Sequence, residues 1–339
     1  MQVSAFIAGC LGPVLSEAER AFFRDAQPWG FILFGRNVQT PGQVAALVAS
    51  FREAVGRDDA PVLIDQEGGR VQRLGPPHWP AYPAGRAYGS MAANDPLTRR
   101  ELTRLGARLI AHDLRLLGIN VDCVPVLDVP VAGSHRIIGD RAYGDEPVTV
   151  AVLGRATAEG LIAGGVLPVI KHIPGHGRAL SDSHEALPRV SAPIGHLEHV
   201  DFRPFRHLAD MPLAMTAHIV YEAIDPDHPA TNSARVIRDV IRGRIGFDGL
   251  LMSDDLSMRA LQGSYRERAE VALKAGCDVV LHCNGDMAQM QAVAEGSRPL
   301  RGRARRRAES ALARIRHEPE PFDVAEARSR LSARLAAVA

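Results

Sequence analysis

Residues 167–173 read "LPVIKHI" and run straight into "PGHGRALSDSHEAL" (174–187). The first four positions are apolar without alternation, which suits a strand covered on both faces, as in a parallel sheet. The run ends in Lys171-His172, and in parallel α/β folds the chemistry gathers at the carboxyl ends of the strands. Outward from this segment the same design recurs. "VSAFIAG" (3–9), "GFILFG" (30–35), "PVLIDQEGG" (61–69) and "NVDCVPVLDV" (120–129) precede it. "PLAMTAHIV" (212–220), "GLLMSDDL" (249–256) and "DVVLHCN" (278–284) follow it. Most connections hold a helical pattern, which demands crossover pairing of parallel strands rather than hairpins. After the first run, "SEAERAFFRDA" opens with a capping box of Ser16 and Glu19. Thr40 caps the next helix, with Pro41 in its first turn. Eight such units predict an α/β fold of the (β/α)₈ barrel type, with a doubly wound sheet as the alternative. The whole chain, 1–339, reads as one barrel domain with a C-terminal helical segment from about residue 298.

Composition excludes several classes. Lys+Arg 40 against Asp+Glu 39 leaves a formal charge of +1, so no global field draws nucleic acid or an anionic membrane. The arginine-rich "RPLRGRARRRAESALARI" (298–315) lacks interleaved aromatics and reads as a solvated terminal helix. No apolar run approaches the roughly 20 residues that span a bilayer, and the N-terminus lacks the basic and apolar regions of a signal peptide. The default compartment is the cytoplasm. Cys10, Cys123, Cys277 and Cys283 form no CxxC pair and read as buried core residues.

A barrel predicts that polar strand ends share one rim. Asp65-Gln66-Glu67, Asp128, Lys171-His172, His218, Asp254-Asp255 and His282 all sit at such ends. Six converging ionisable groups carry a desolvation cost unless they pair or bind something. Singly, Asp128 and Asp255 also read as turn caps, and His282 as a core histidine. Gly68-Gly69 reads as a turn where backbone approaches a ligand closely. Arg73 and Arg141 read as surface pairs or ligand clamps.

Three chemistries compete for this rim. His172, His176 and His184 lack the spacing of helical metal ligands, because Pro174 and Gly175 separate the first two. Lys171 as a Schiff-base amine needs a depressed pKa, against which Asp65, Asp182 and Asp254 work. A glycosidase needs a carboxylate nucleophile and a separate acid/base. Asp254 supplies the first, and His184 with Asp182 two residues earlier supplies the second. No metal and no cofactor are expected.

"DQEGGRVQR", "IGDRAYG", "KHIPGHG" with "DSH", and "SDDLSM" occur in that order. Together they resemble the glycoside hydrolase family 3 β-N-acetylglucosaminidases of the single-domain bacterial cytoplasmic type used in peptidoglycan recycling. The resemblance runs from about residue 5 to 290. It implies Asp254 as nucleophile, His184 as general acid/base and Asp182 as its orienting partner. It implies Asp65, Arg73, Arg141, Lys171 and His172 as sugar-binding residues, and a (β/α)₈ barrel without metal. The expected function is retaining hydrolysis of terminal, non-reducing β-linked N-acetylglucosamine from muropeptides through a covalent intermediate. Substrate-assisted hydrolysis and a non-catalytic sugar-binding barrel are the alternatives. The expected partner is a small carbohydrate rather than nucleic acid or membrane, and the chain is expected to be a monomer or weak oligomer. The acid/base segment reads as a mobile loop joined to Lys171-His172 by a glycine hinge.

Overall fold

The computed structural model describes residues 2–91, 94–183 and 185–336. Each of the eight apolar runs supplies one strand: β1 (Ser4–Ala8), β2 (Pro28–Leu33), β3 (Val62–Ile64), β4 (Val121–Asp122), β5 (Leu167–Ile173), β6 (Leu213–Thr216), β7 (Leu250–Asp255) and β8 (Val279–His282). All pair in parallel and in sequence order, and β8 returns to β1 to close the barrel. The doubly wound alternative is therefore excluded. Between the strands run α1 (Glu17–Ala26), α2 (Pro41–Val55), α3 (Pro96–Leu116) and α4 (Pro147–Ala163). The second half carries α5 (Phe202–His207), the π-wound α6 (Val236–Arg244), α7 (Tyr265–Ala275) and α8 (Met287–Gly296).

Local sequence sets the helix starts. Ser16 and Glu19 form the expected capping box on α1. Thr40 accepts from the Gln43 amide at the start of α2, and Asp95 does the same for Thr98 at α3. Phe31 stacks on Phe51 at 4.6 Å, and Phe23 meets both edge-on at 5.5 Å. This trio fastens α1 and α2 to β2, and its edge-to-face geometry adds to plain area burial.

The run 120–129 yields only the two-residue β4. Pro125 cannot donate to a ladder. Beyond it the pairing persists irregularly, with Val126 bridging to Lys171 and the Leu127 amide donating to the Lys171 carbonyl at 2.7 Å. Arg36, just past β2, donates to the carbonyls of Cys10 and Cys283, which flank the junction of β1 and β8.

The arginine-rich segment forms α9 (Gly302–Ala313), followed by α10 (Val324–Ala336). It is not fully solvated as expected. Ala308 and Ala311 are buried, and Arg307 reaches Asp248 and Asp278. Small residues on one face let α9 dock closely, so only its other arginines face water. Among the described residues no helix is long and apolar enough to cross a membrane.

Candidate active site

A cavity of about 330 Å³ opens at the carboxyl ends of the strands. Asp65, Arg73, Arg141, Lys171, His172 and Asp254 all line it. Six of the eight site residues expected from the sequence thus share one pocket, although they are spread over some 190 positions of chain.

One wall is ionic. Lys171 Nζ lies 2.9 Å from Asp65 Oδ1 and 2.7 Å from Glu67 Oε1. Arg141 grips Glu67 with two bonds of 2.9 and 2.8 Å, and Arg73 meets Asp65 at 3.0 Å. Three cations thus share two carboxylates, and the surplus charge is positive. Burial alone would raise the Glu67 pKa, but Arg141 and Lys171 outweigh it and bring it down to about 2. Burial likewise opposes the Lys171 charge, but Asp65 and Glu67 hold it firmly protonated. A lysine so held is no amine nucleophile, which removes the Schiff-base reading.

The signs give a pH prediction. Carboxylates whose folded pKa is depressed stabilise the fold above their unfolded pKa, and that stability is lost as pH falls toward the folded value. For Glu67 the window runs from its ordinary 4.5 down to about 2. The melting temperature should therefore fall steeply across that window. A Glu67→Gln variant should show a shallower fall in the same thermal melts.

The second wall is held by Asp128, which is fully buried. Its Oδ2 lies 2.7 Å from His172 Nδ1, and its Oδ1 accepts the amides of His172 and His176 at 3.2 and 2.6 Å. Asp128 thus fixes the His172 ring with Nε2 left for a ligand. It is more than the turn cap its sequence position suggested. Asp254, next to last in β7, is 7 % exposed, and its Oδ1 accepts the Asp255 amide at 2.8 Å. Burial raises its pKa, but His172 and His218 outweigh that and keep the carboxylate ionised. Asp255 is spent on its turn, accepting from the amides of Ser257 and Cys283 and from the Ser257 hydroxyl.

Residues 7–316 match the glycosyl hydrolase family 3 N-terminal domain. The chain belongs to glycosyl hydrolase family 3. It is 40% identical over 288 residues to a β-hexosaminidase of Alkalilimnicola ehrlichii, covering 84% of this chain and 82% of that one. The structure of NagZ from Neisseria gonorrhoeae in complex with N-trifluoroacetyl-D-glucosamine superposes with a TM-score of 0.83 at 29% identity, over 100% of this chain and 98% of that one. A family 3 β-N-acetylglucosaminidase from Paenibacillus sp. str. FPU-7 gives a TM-score of 0.86 at 30% identity, over 97% and 67% of the two chains. The chain is accordingly a glycoside hydrolase of the β-N-acetylhexosaminidase type, and its substrate is a carbohydrate.

The family 3 motif "KHIPGHG" and the loop behind it are tied down at the base. Arg178 Nε pairs with Asp201 at 2.6 Å, and the Tyr221 hydroxyl donates to the Gly175 carbonyl at 2.6 Å. A Cβ on Gly177 would stand 1.9 Å from the Val129 carbonyl oxygen. Glycine is needed there for close approach, so the expected hinge is a packing point at this position. Asp182 lies on the same loop, and its carbonyl accepts the amides of Glu185 and Ala186. His184 lies outside the described residues.

Other rim groups separate from the pocket. His218 is fully buried, bonded to Thr231 at 2.7 Å and to the Asp255 carbonyl at 3.0 Å. It thus holds the backbone beside Asp254. His282 packs against the Tyr265 ring and is absent from the cavity lining. Gly68 approaches chain rather than ligand, since a Cβ there would lie 2.2 Å from the Pro83 carbonyl oxygen. Among the described residues no three His, Cys, Asp or Glu side chains are grouped to hold a metal.

Glu67 and Asp128 stood at the rim in the sequence, but neither had a binding role assigned there. A signal for Glu67 existed: in extended chain, positions 65 and 67 point to one side. The apolar lining of Ile32, Phe34, Met215, Leu281 and Cys283 gave no such signal, because apolar strand ends look like core.

Proposed function

We propose that this family 3 hydrolase removes terminal, non-reducing β-linked N-acetylglucosamine from peptidoglycan-derived muropeptides in the cytoplasm, by the two-step retaining route. The observation that carries this reading is the contrast among the cavity carboxylates. Asp65 and Glu67 are neutralised by cations and Asp255 is bound up in its turn, whereas Asp254 is ionised, lines the cavity and accepts only one backbone hydrogen bond among the described residues.

Asp254 attacks the anomeric carbon while protonated His184 gives its proton to the departing oxygen. The bond to the aglycone breaks as the ester to Asp254 forms. His184 then takes a proton from water, the water oxygen replaces Asp254 on the sugar, and the carboxylate is restored. Asp182 orients His184. The ionic wall holds the sugar hydroxyls, with Asp65 and Glu67 as acceptors, Arg73, Arg141 and Lys171 as donors, and His172 Nε2 beside them.

Substrate-assisted hydrolysis calls for a carboxylate to orient the acetamido group beside Asp254, and the engagement of Asp255 disfavours that role. A fluorinated N-acetylglucosaminyl fluoride should leave a covalent adduct on the Asp254 peptide, detectable by mass spectrometry. Oxazoline release without an adduct would favour the substrate-assisted route. His184→Ala should lose roughly 10²–10⁴-fold on a substrate with a poor leaving group and little on a dinitrophenyl glycoside. Equal losses on both would remove His184 from the acid role.

Arg70 and Arg73 line the cavity and pair with Asp140 and Asp65, and a guanidinium fork of this kind can also take a carboxylate of an aglycone such as a muropeptide. The four buried free thiols are consistent with a reducing compartment.

A further inference from the structure

We propose that Ser183 is a positioning residue that seats the acid/base loop against the loop bearing the nucleophile, an inference that rests on the reading of His184 as the acid/base. Ser183 is 3 % exposed, although Leu180 in the same loop is 72 % exposed. Burying a hydroxyl from an exposed loop costs free energy unless partners receive it, and here they come from two different strand ends. Ser183 Oγ lies 3.3 Å from Nε2 of His176, which follows β5. It also lies 3.8 Å from Sδ of Met258, four residues past Asp254. The Ser183 carbonyl accepts the Ala260 amide at 3.3 Å, in the same loop as Met258.

The protons can be assigned by elimination. A thioether sulfur only accepts, so the single hydroxyl proton goes to Met258. The hydroxyl oxygen must then accept from His176, which places the ring proton on Nε2. His176 suits this part. Burial, with neighbouring His172, lowers its pKa to about 4, so it is neutral near pH 7. Its ring stands edge-on to His172 at 5.6 Å, and its amide is fixed by Asp128. The chain of contact runs from Asp128 through His176 and Ser183 to the loop after Asp254. One residue between Asp182 and His184 thereby couples the proton donor's loop to the nucleophile's loop.

Losing the hydroxyl should reduce the fraction of time in which the loop is seated, not the binding of the sugar. Ser183→Ala should therefore lose about 10-fold in kcat on a substrate with a poor leaving group. It should stay near wild type on a dinitrophenyl glycoside, with the inhibition constant for N-acetylglucosamine unchanged. The ratio of the two rates is internal to each variant, so partial misfolding does not alter it. His176→Phe should show the same ratio, and the double variant should be no worse than either single one. An unchanged ratio in Ser183→Ala, or additive losses in the double variant, would overturn the proposal. His184→Ala is run alongside. If it shows its leaving-group signature and Ser183→Ala does not, the positioning role alone fails. If His184→Ala lacks that signature, the acid/base reading fails and takes this inference with it.

Discussion

Asp254→Asn should lower kcat on a chromogenic β-N-acetylglucosaminide on the order of 10⁴-fold or more, as removal of a covalent nucleophile does elsewhere. The amide keeps the shape and can still accept from the Asp255 amide, so the turn at the end of β7 survives. What it lacks is the negative charge that forms the ester in the proposed route. Binding of N-acetylglucosamine, measured by calorimetry, should change little, because the proposed route gives the sugar contacts to the ionic wall and His172. Azide supplied to Asp254→Ala with a dinitrophenyl glycoside should restore turnover and give the α-azide, since azide attacks from the side the carboxylate left. A near-wild-type rate in Asp254→Asn, or a β-azide product, would sink the assignment.

Glu67→Ala is the second large expectation, and it falls on stability as well as turnover. Glu67 neutralises Lys171 and Arg141, whose side chains are 3 % and 10 % exposed. Removing one partner of a buried ion pair leaves uncompensated charge, at a cost of about 3–5 kcal/mol. For a chain of this length that corresponds to a melting temperature lower by on the order of 5 °C. Lys171 retains Asp65, so the pocket does not lose its cation, but Arg141 loses both of its carboxylate bonds. Weaker sugar binding should follow, read as a raised KM. A variant that melts and binds like the parent would show that the ionic wall does not depend on Glu67.

The barrel was legible because its strands are covered on both faces, so their apolar runs stand out without alternation. Most of the pocket was legible for a related reason: a charged residue at the end of such a run has few structural uses. What the sequence showed at the rim without its role, or not at all, has a physical cause in each instance. Glu67 sits in a glycine-rich hairpin, where a carboxylate is unremarkable until Arg141 is brought from seventy-four positions away. Asp128 lies beyond the short β4, and its function depends on one amide in β5 and one in the loop after it. His282 follows the same pattern as Lys171 and yet turns to Tyr265, a choice made by packing rather than by position in the run. Ser183 is small, and nothing in the motif distinguishes a buried serine from an exposed one.

The Arg36 bridge over the junction of β1 and β8 has a consequence for the cavity. Cys283 and Leu281, at the end of the last strand, form part of the pocket lining together with Phe34 from the second. Arg36 stands over the Phe34 ring at 5.0 Å while it holds the Cys283 carbonyl. Without residues 279–283 the chain keeps Asp254 but lacks the lining that Leu281 and Cys283 supply, so closure of the barrel and completion of the cavity depend on the same residues.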